Sequence, residues 1–143
     1  MKVIFDTSVL VSSLVSDLKN HEASLDCFLR YTKKPHTGVC SSHTLAECYS
    51  TLTALPLKRR IQPLEAKLLI EKTLLERLSV VSLNPALYRM ALDRVSSLGL
   101  VSGVIYDALH LLCGEKQKCD RLYTYNLSHF HRLGSKGVII SAP

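Results

Sequence analysis

Apolar positions along the chain fall into two kinds of run, short blocks of a few residues and longer stretches with helical spacing. Val3-Ile4-Phe5, closed by Asp6-Thr7-Ser8, has the pattern of a buried strand over Lys2 to Phe5 that ends in a turn. Val9, Leu10, Val11, Leu14 and Val15 then predict a helix, with Thr7 or Ser8 as its cap. A second helix is predicted from about Glu22 to Tyr31, with Ala23, Leu25, Phe28 and Leu29 facing inward, before Lys33-Lys34-Pro35 breaks the pattern. His36 to Cys40 predicts a second strand, Ser41-Ser42 a cap, and Leu45, Cys48, Tyr49 and Leu52 the helix behind it. After a basic turn between Pro56 and Pro63, Leu64, Leu68, Leu69, Leu75 and Leu78 mark an amphipathic helix, and Val80-Val81 a third strand. Pro85 opens a helix reaching about Leu98. Beyond Gly99 and Gly103 an apolar helix covers Val104 to Cys113, and Arg121–Thr124 and Gly137–Ile140 predict the last two strands.

Short strands alternating with helices of this length imply βα units and a parallel sheet. The expected fold class is therefore α/β, one domain over residues 1–143, with a central parallel β-sheet flanked by α-helices. No repeat, low-complexity tract or linker divides it. In such sheets ligands collect outside the carboxyl ends of the strands.

Composition narrows this only a little. Lys and Arg outnumber Asp and Glu by 18 to 12, a formal net charge of +6, which suits a nucleic-acid partner and equally a plain soluble basic protein. Cys27, Cys40, Cys48, Cys113 and Cys119 are odd in number and lack CxxC spacing, so reduced, buried thiols are expected instead of disulfides or zinc. Asp6 interrupts the N-terminal apolar run, which excludes a signal-peptide core there, and no apolar run approaches the roughly 20 residues needed to cross a bilayer. A soluble, cytoplasmic protein without membrane contact is the expectation.

With only 12 acidic residues, the placement of each is informative. Glu65, Glu71 and Glu76 fall on the polar side of an amphipathic helix, and Glu115 sits among lysines near a helix end, so these read as solvated. Asp6 closes a buried strand, where it serves either as a helix cap or as a charge needing a partner. Asp107 lies in the apolar Val104–Leu112 stretch. A carboxylate buried there requires compensation, by a salt bridge or a metal ion, and the metal is favoured because only His110 is a basic residue within a turn. Glu47 taken alone reads as solvent-facing, but its helix starts at the same sheet edge as Asp6. Hard oxygen ligands without Cys or clustered His select Mg²⁺ or Mn²⁺, ions that activate water and neutralise charge in phosphoryl transfer.

At these residues the chain resembles the PIN-domain ribonucleases, in particular the VapC-type toxins of toxin–antitoxin pairs. Phe5-Asp6-Thr7-Ser8-Val9-Leu10 resembles the family's opening strand and first acidic residue. Ser42 to Tyr49 resembles the segment with the second, here Glu47, and Ile105 to His110 the third, here Asp107. Leu122 to Phe130 resembles the fourth motif. Four segments in order over nearly the whole chain make the resemblance specific. It implies Mg²⁺ or Mn²⁺ dependence, endonucleolytic cleavage of RNA, a homodimer and a cognate antitoxin that binds and inhibits.

The fourth motif departs from the fullest acidic pattern, because Asn126 stands where many members have Asp, and this leaves a second tightly held ion open. Asp120, ahead of the same strand, is either a nearby charge or an exposed loop residue. Ser8, as a partner of Asp6 or as a helix cap, and Thr124, at a strand end, are expected in support of Asp6, Glu47 and Asp107. His110 is expected to be packed behind the site, and His129 either to contact RNA or to have no part in function. Lys58, Arg59 and Arg60 are candidate phosphate contacts or solvated turn charges. Two other functions compete. One is a phosphatase with Asp6 as nucleophile, which would want a second Asp where Ser8 stands; the other is a PIN-fold module that binds RNA or a partner without catalysis.

Overall fold

The computed structural model describes residues 1–143. Five strands form one sheet, β1 (Lys2–Phe5), β2 (Thr37–Ser41), β3 (Ser79–Val81), β4 (Arg121–Tyr123) and β5 (Ile139–Ser141). The order across the sheet is β3-β2-β1-β4-β5 and every pairing is parallel. The helices are α1 (Thr7–Leu14), α2 (His21–Tyr31), α3 (Ser42–Ala54), α4 (Pro63–Leu69), α5 (Leu75–Arg77), α6 (Pro85–Ser97), α7 (Val104–Lys116) and α8 (Leu127–Arg132). No helix is long and apolar enough to cross a membrane.

The central strands β1, β2 and β4 are buried on both faces, which explains why they read as unbroken apolar runs and not as alternating ones, while the edge strands β3 and β5 are exposed or half-buried. Successive residues of each central strand serve opposite cores. Val3, Phe5, Cys40 and Tyr123 join one cluster, and Ile4, Val39 and Leu122 the other. All five cysteines are buried and free, and burial pushes the Cys40 thiol up to about 12. The expectation of buried thiols holds.

Several boundaries and faces differ from expectation. Neither Thr7 nor Ser8 caps α1, because Asp6 takes that position and its side chain makes no capping bond. Ser41 does cap α3, its hydroxyl accepting from the Thr44 amide. In α2 Ala23 is exposed, while Ser24, a polar residue, is buried with its hydroxyl 2.8 Å from that of Tyr125. The helix expected from Leu64 to Leu78 is interrupted by a π-helical turn, Ile70–Leu74, between α4 and α5. Its buried residues are Ala66, Ile70, Leu74 and Leu78, whereas Leu64, Leu68 and Leu75 are exposed. A face repeating every fourth residue outruns the 3.6-residue turn, and the wider π turn keeps it on the core. Glu115 is not a solvated charge, since its carboxylate receives both Arg94 amino groups at 2.9 and 2.8 Å and is mostly buried, tying α7 to α6. Helix α8 had no counterpart in the sequence pattern.

One close approach sets the height of α7 over the sheet. A Cβ built on Gly114 would lie 2.9 Å from Ile4 Cγ2, so this helix rests on β1 at a position where only glycine fits without displacement. Gly114→Val should therefore lower stability by about 1–3 kcal/mol through overpacking. Chemical denaturation checks this, and an unchanged midpoint would show that α7 has room to move.

Candidate active site at the carboxyl edge of the sheet

From β1 the chain order runs one way to β2 and β3 and the other way to β4 and β5. The carboxyl ends of β1 and β4 therefore flank the crevice where open α/β sheets bind ligands. Asp6 stands at that point, directly after β1, with its amide donating to the Tyr123 carbonyl at 3.0 Å. Its side chain is buried, and Oδ2 accepts from the hydroxyls of Ser8 and Thr124, each at 2.8 Å. These hydroxyls are held in turn by the loop after β4. The Tyr125 amide donates to Ser8 Oγ at 3.0 Å and the Asn126 amide to Thr124 Oγ1 at 2.9 Å. Both hydroxyl donors converge on Oδ2, so the orientation of Asp6 is fixed before any ligand arrives.

Asp107 enters from α7, its Oδ2 lying 3.1 Å from Nδ1 of His129 on α8. Burial raises its carboxyl above the ordinary range, and the negative charge of Asp6 raises it further, against the opposing pull of His129 and His110. One turn along α7, His110 is fully buried. Its Nε2 donates to Glu47 Oε1 on α3, and the hydroxyls of Ser41 and Thr44 lie 3.0 and 3.2 Å from its Nδ1. Burial would lower the imidazole pKa, but the Glu47 hydrogen bond and the charges of Asp6, Glu47 and Asp107 together bring it above its ordinary value. Glu47 is the mirror case. Burial pushes it up, and His110, with help from His43 3.8 Å away, brings it below the ordinary carboxylate value. The buried Thr7 hydroxyl, which finds no partner of good hydrogen-bond geometry, lies near enough to add to that lowering.

The structure thus brings Asp6, Ser8, Thr124 and Asp107 to one sheet edge and links Glu47 to them through His110. No three His, Cys, Asp or Glu side chains converge as a ready metal cage. Asp6 and Asp107 nonetheless fit a hard divalent cation. Both are oxygen donors, their like charges oppose each other, and Mg²⁺ is commonly held by one or two carboxylates with water completing its shell. Asn126 is exposed at the start of α8, and its side chain makes no capping bond. Asp120 lies at the opposite edge of the sheet, where it accepts from the Lys2 amide at 2.7 Å, and so stands apart from the site. Lys58, Arg59 and Arg60 are exposed in the turn after α3; Arg59 pairs with Glu65 and lines a hollow with Leu14 to Asp17 at the far end of α1 from Asp6.

The histidines hold more of the site than their sequence neighbours indicate. His43 precedes Glu47 by one helical turn, a spacing that was readable. The pairing of His129 with Asp107 depends on α8, whose six residues are too few to leave a periodic signature.

A carboxylate pair, Asp6 buried and Asp107 half-buried, at the switch point of a five-stranded parallel sheet defines a small α/β protein built around an acidic site. The PIN domain family model matches residues 3–136, and the chain belongs to that family. No curated protein sequence matches it. Among solved structures it is similar to VapC20 of Mycobacterium tuberculosis, a Sarcin-Ricin loop cleaving toxin, at 18% identity and a TM-score of 0.74, over 95% of this chain and 98% of that one. It is likewise similar to VapBC2 from Rickettsia felis, bound to a DNA fragment from its promoter, with 17% identity, a TM-score of 0.69 and coverage of 100% and 99%. VapBC-1 from nontypeable Haemophilus influenzae gives 17%, 0.69, and 99% and 98%. At these identities the likeness establishes the fold.

Two outcomes follow from the electrostatics. Asp107 binds protons more readily folded than unfolded, so its ionisation costs stability as pH rises through its raised value. In EDTA at neutral pH, Asp107→Asn should thus stabilise the protein by about 0.5–2 kcal/mol. Mg²⁺ should raise the melting temperature of the native chain more than that of the variant; a variant less stable than native in EDTA would refute the repulsion. For the Glu47–His110 pair the signs are opposite. The contribution of Glu47, whose value is lowered, is present above 4.5 and lost as pH falls through the folded value. That of His110, whose value is raised, is present below 6.5 and lost as pH climbs through the folded value. Glu47→Gln in EDTA should cost about 1–3 kcal/mol, most between these two pH values, and a flat difference in melting temperature from pH 4 to 9 would contradict the pairing.

Proposed function

We propose that the chain is a metal-dependent endoribonuclease, hydrolysing RNA phosphodiester bonds as the toxin of a toxin–antitoxin pair. The observation that carries this is the opposed Asp6–Asp107 pair at the sheet's switch point in a PIN-domain chain. Asp6, Asp107 and Glu47 form the carboxylate set for Mg²⁺ or Mn²⁺. A bound divalent ion supplies charge to neutralise the phosphate and to make water a better nucleophile near neutral pH. Ser8 and Thr124 hold Asp6 in one orientation, and His110 holds Glu47, so that neither carboxylate has to reorganise when the phosphate arrives. The basic balance of the chain favours a polyanionic substrate. An antitoxin partner is supported by the VapBC assemblies among the similar structures, and a homodimer by the family resemblance.

A non-catalytic binding module is the second reading. It is favoured by the pairing of Glu47 with His110 and by the uncharged Asn126. Cleavage of mixed structured RNAs with Mg²⁺ decides between the two. Asp6→Asn and Asp107→Asn should abolish cleavage while circular dichroism stays native, and EDTA should stop the native protein. Undiminished cleavage in excess EDTA, or full activity of either folded variant, would overturn the mechanism. RNA binding indifferent to metal, with no cleavage, would favour the module.

A further inference from the structure

Beside the carboxylates, α3 and α7 present two rings that the proposed chemistry does not use. Tyr106 directly precedes Asp107 on α7, and His43 lies one turn before Glu47 on α3. The rings are stacked, with centroids 5.0 Å apart and planes 14° from parallel, and His43 in turn lies 6.1 Å from the buried His110. Tyr106 is 47% exposed. With Ala46, Glu47, Ser50 and Thr51 the two rings wall an open cavity of about 400 Å³, within the range of about 300–1,000 Å³ usual for small-ligand sites. A flat ring already held by its neighbour offers a stacking surface that loses little side-chain freedom when a second flat group lies on it.

We propose that Tyr106, backed by His43, is a platform on which one unpaired nucleobase of the RNA stacks, beside the linkage to be cut. The substrate is then single-stranded or looped-out RNA and not duplex. This rests on the ribonuclease reading. Because Glu47 lines this cavity and lies 3.8 Å from His43, a base stacked there belongs to a nucleotide near the phosphate at the carboxylates. Bases inside a duplex have both faces covered, so only a splayed base can reach the ring. Every base has a π face, so the platform tolerates sequence variation. The exposed hydroxyls of Ser50 and Thr51 line the same cavity and offer hydrogen bonds to a base edge or a ribose.

The test is binding of a short unstructured RNA in EDTA by the native chain, Tyr106→Ala and Tyr106→Phe, with melting curves to verify the fold. Tyr106→Ala should bind about five- to 150-fold more weakly, the range for loss of one base–aromatic stack, and Tyr106→Phe should keep most of the affinity. An abasic residue moved along the RNA should weaken native binding at one position and leave Tyr106→Ala unaffected there, since both changes delete the same interaction. Annealing the RNA to its complement should remove the dependence on Tyr106. Equal affinity of native protein and Tyr106→Ala for the single strand would overturn the platform and leave the ribonuclease reading intact, as would a duplex bound with the same dependence on Tyr106. Tyr106-dependent binding without cleavage in Mg²⁺ would support the platform and fail the ribonuclease reading alone. No binding of RNA at all would overturn both.

Discussion

Asp6 and Asp107 come from opposite ends of the chain's fold, one from the first strand and the other from the seventh helix, and their negative charges face each other at the edge of the sheet. Like charges brought together under partial burial oppose folding, and the surrounding structure is organised to hold them there nonetheless. The Ser8 and Thr124 hydroxyls fix Asp6 from the β4 side, and His129 meets Asp107 from α8. The close seat of Gly114 on Ile4 keeps α7 low enough over β1 for this encounter. Unfavourable electrostatics held at a switch point make the site complementary to positive charge, and the proposed divalent cation would relieve them directly.

His110 lies behind the carboxylates. It is wholly buried, surrounded by Asp6, Glu47 and Asp107, and held at its other nitrogen by Ser41 and Thr44. The carboxylates favour its charged form strongly enough to outweigh the desolvation that opposes it. Its hydrogen bond to Glu47 draws that carboxylate away from a simple three-ligand cage while keeping it ionised and in place. The site is thus an asymmetric one, with Asp6 and Asp107 on one side and the hydrogen-bonded Glu47–His110 pair on the other. The stacked His43 and Tyr106 extend it outward along α3 and α7.

Much of this was legible in the chain and part was not, for definite reasons. The five strands stand out because each is an apolar run ended by a polar or glycine-containing turn, and Asp6 and Asp107 because a carboxylate in an apolar setting needs an explanation. Glu47 could not be placed from its own neighbours, since its partner His110 is 63 residues away and meets it only in the folded state. The leucines from Leu64 to Leu78 share one face only on an uninterrupted 3.6-residue turn; with the π turn at Ile70–Leu74, Ala66 and Ile70 lie inward with Leu74 and Leu78, and Leu64 and Leu68 lie outward. Glu115 looked solvated because Arg94 is 21 residues away on another helix. Long-range pairing, more than local propensity, separates the expectation from the structure.

The proposed site turns on Asp107, a carboxylate raised first by burial and then by the charge of Asp6, which a bound cation would relieve. Carboxyl titration by NMR, following the Asp107 side chain with and without Mg²⁺, measures this directly. Without the ion its pKa should lie above the ordinary 3.8, and with Mg²⁺ it should fall below that value. The same titration curve in both conditions would contradict the assignment of Asp6 and Asp107 as a cation site.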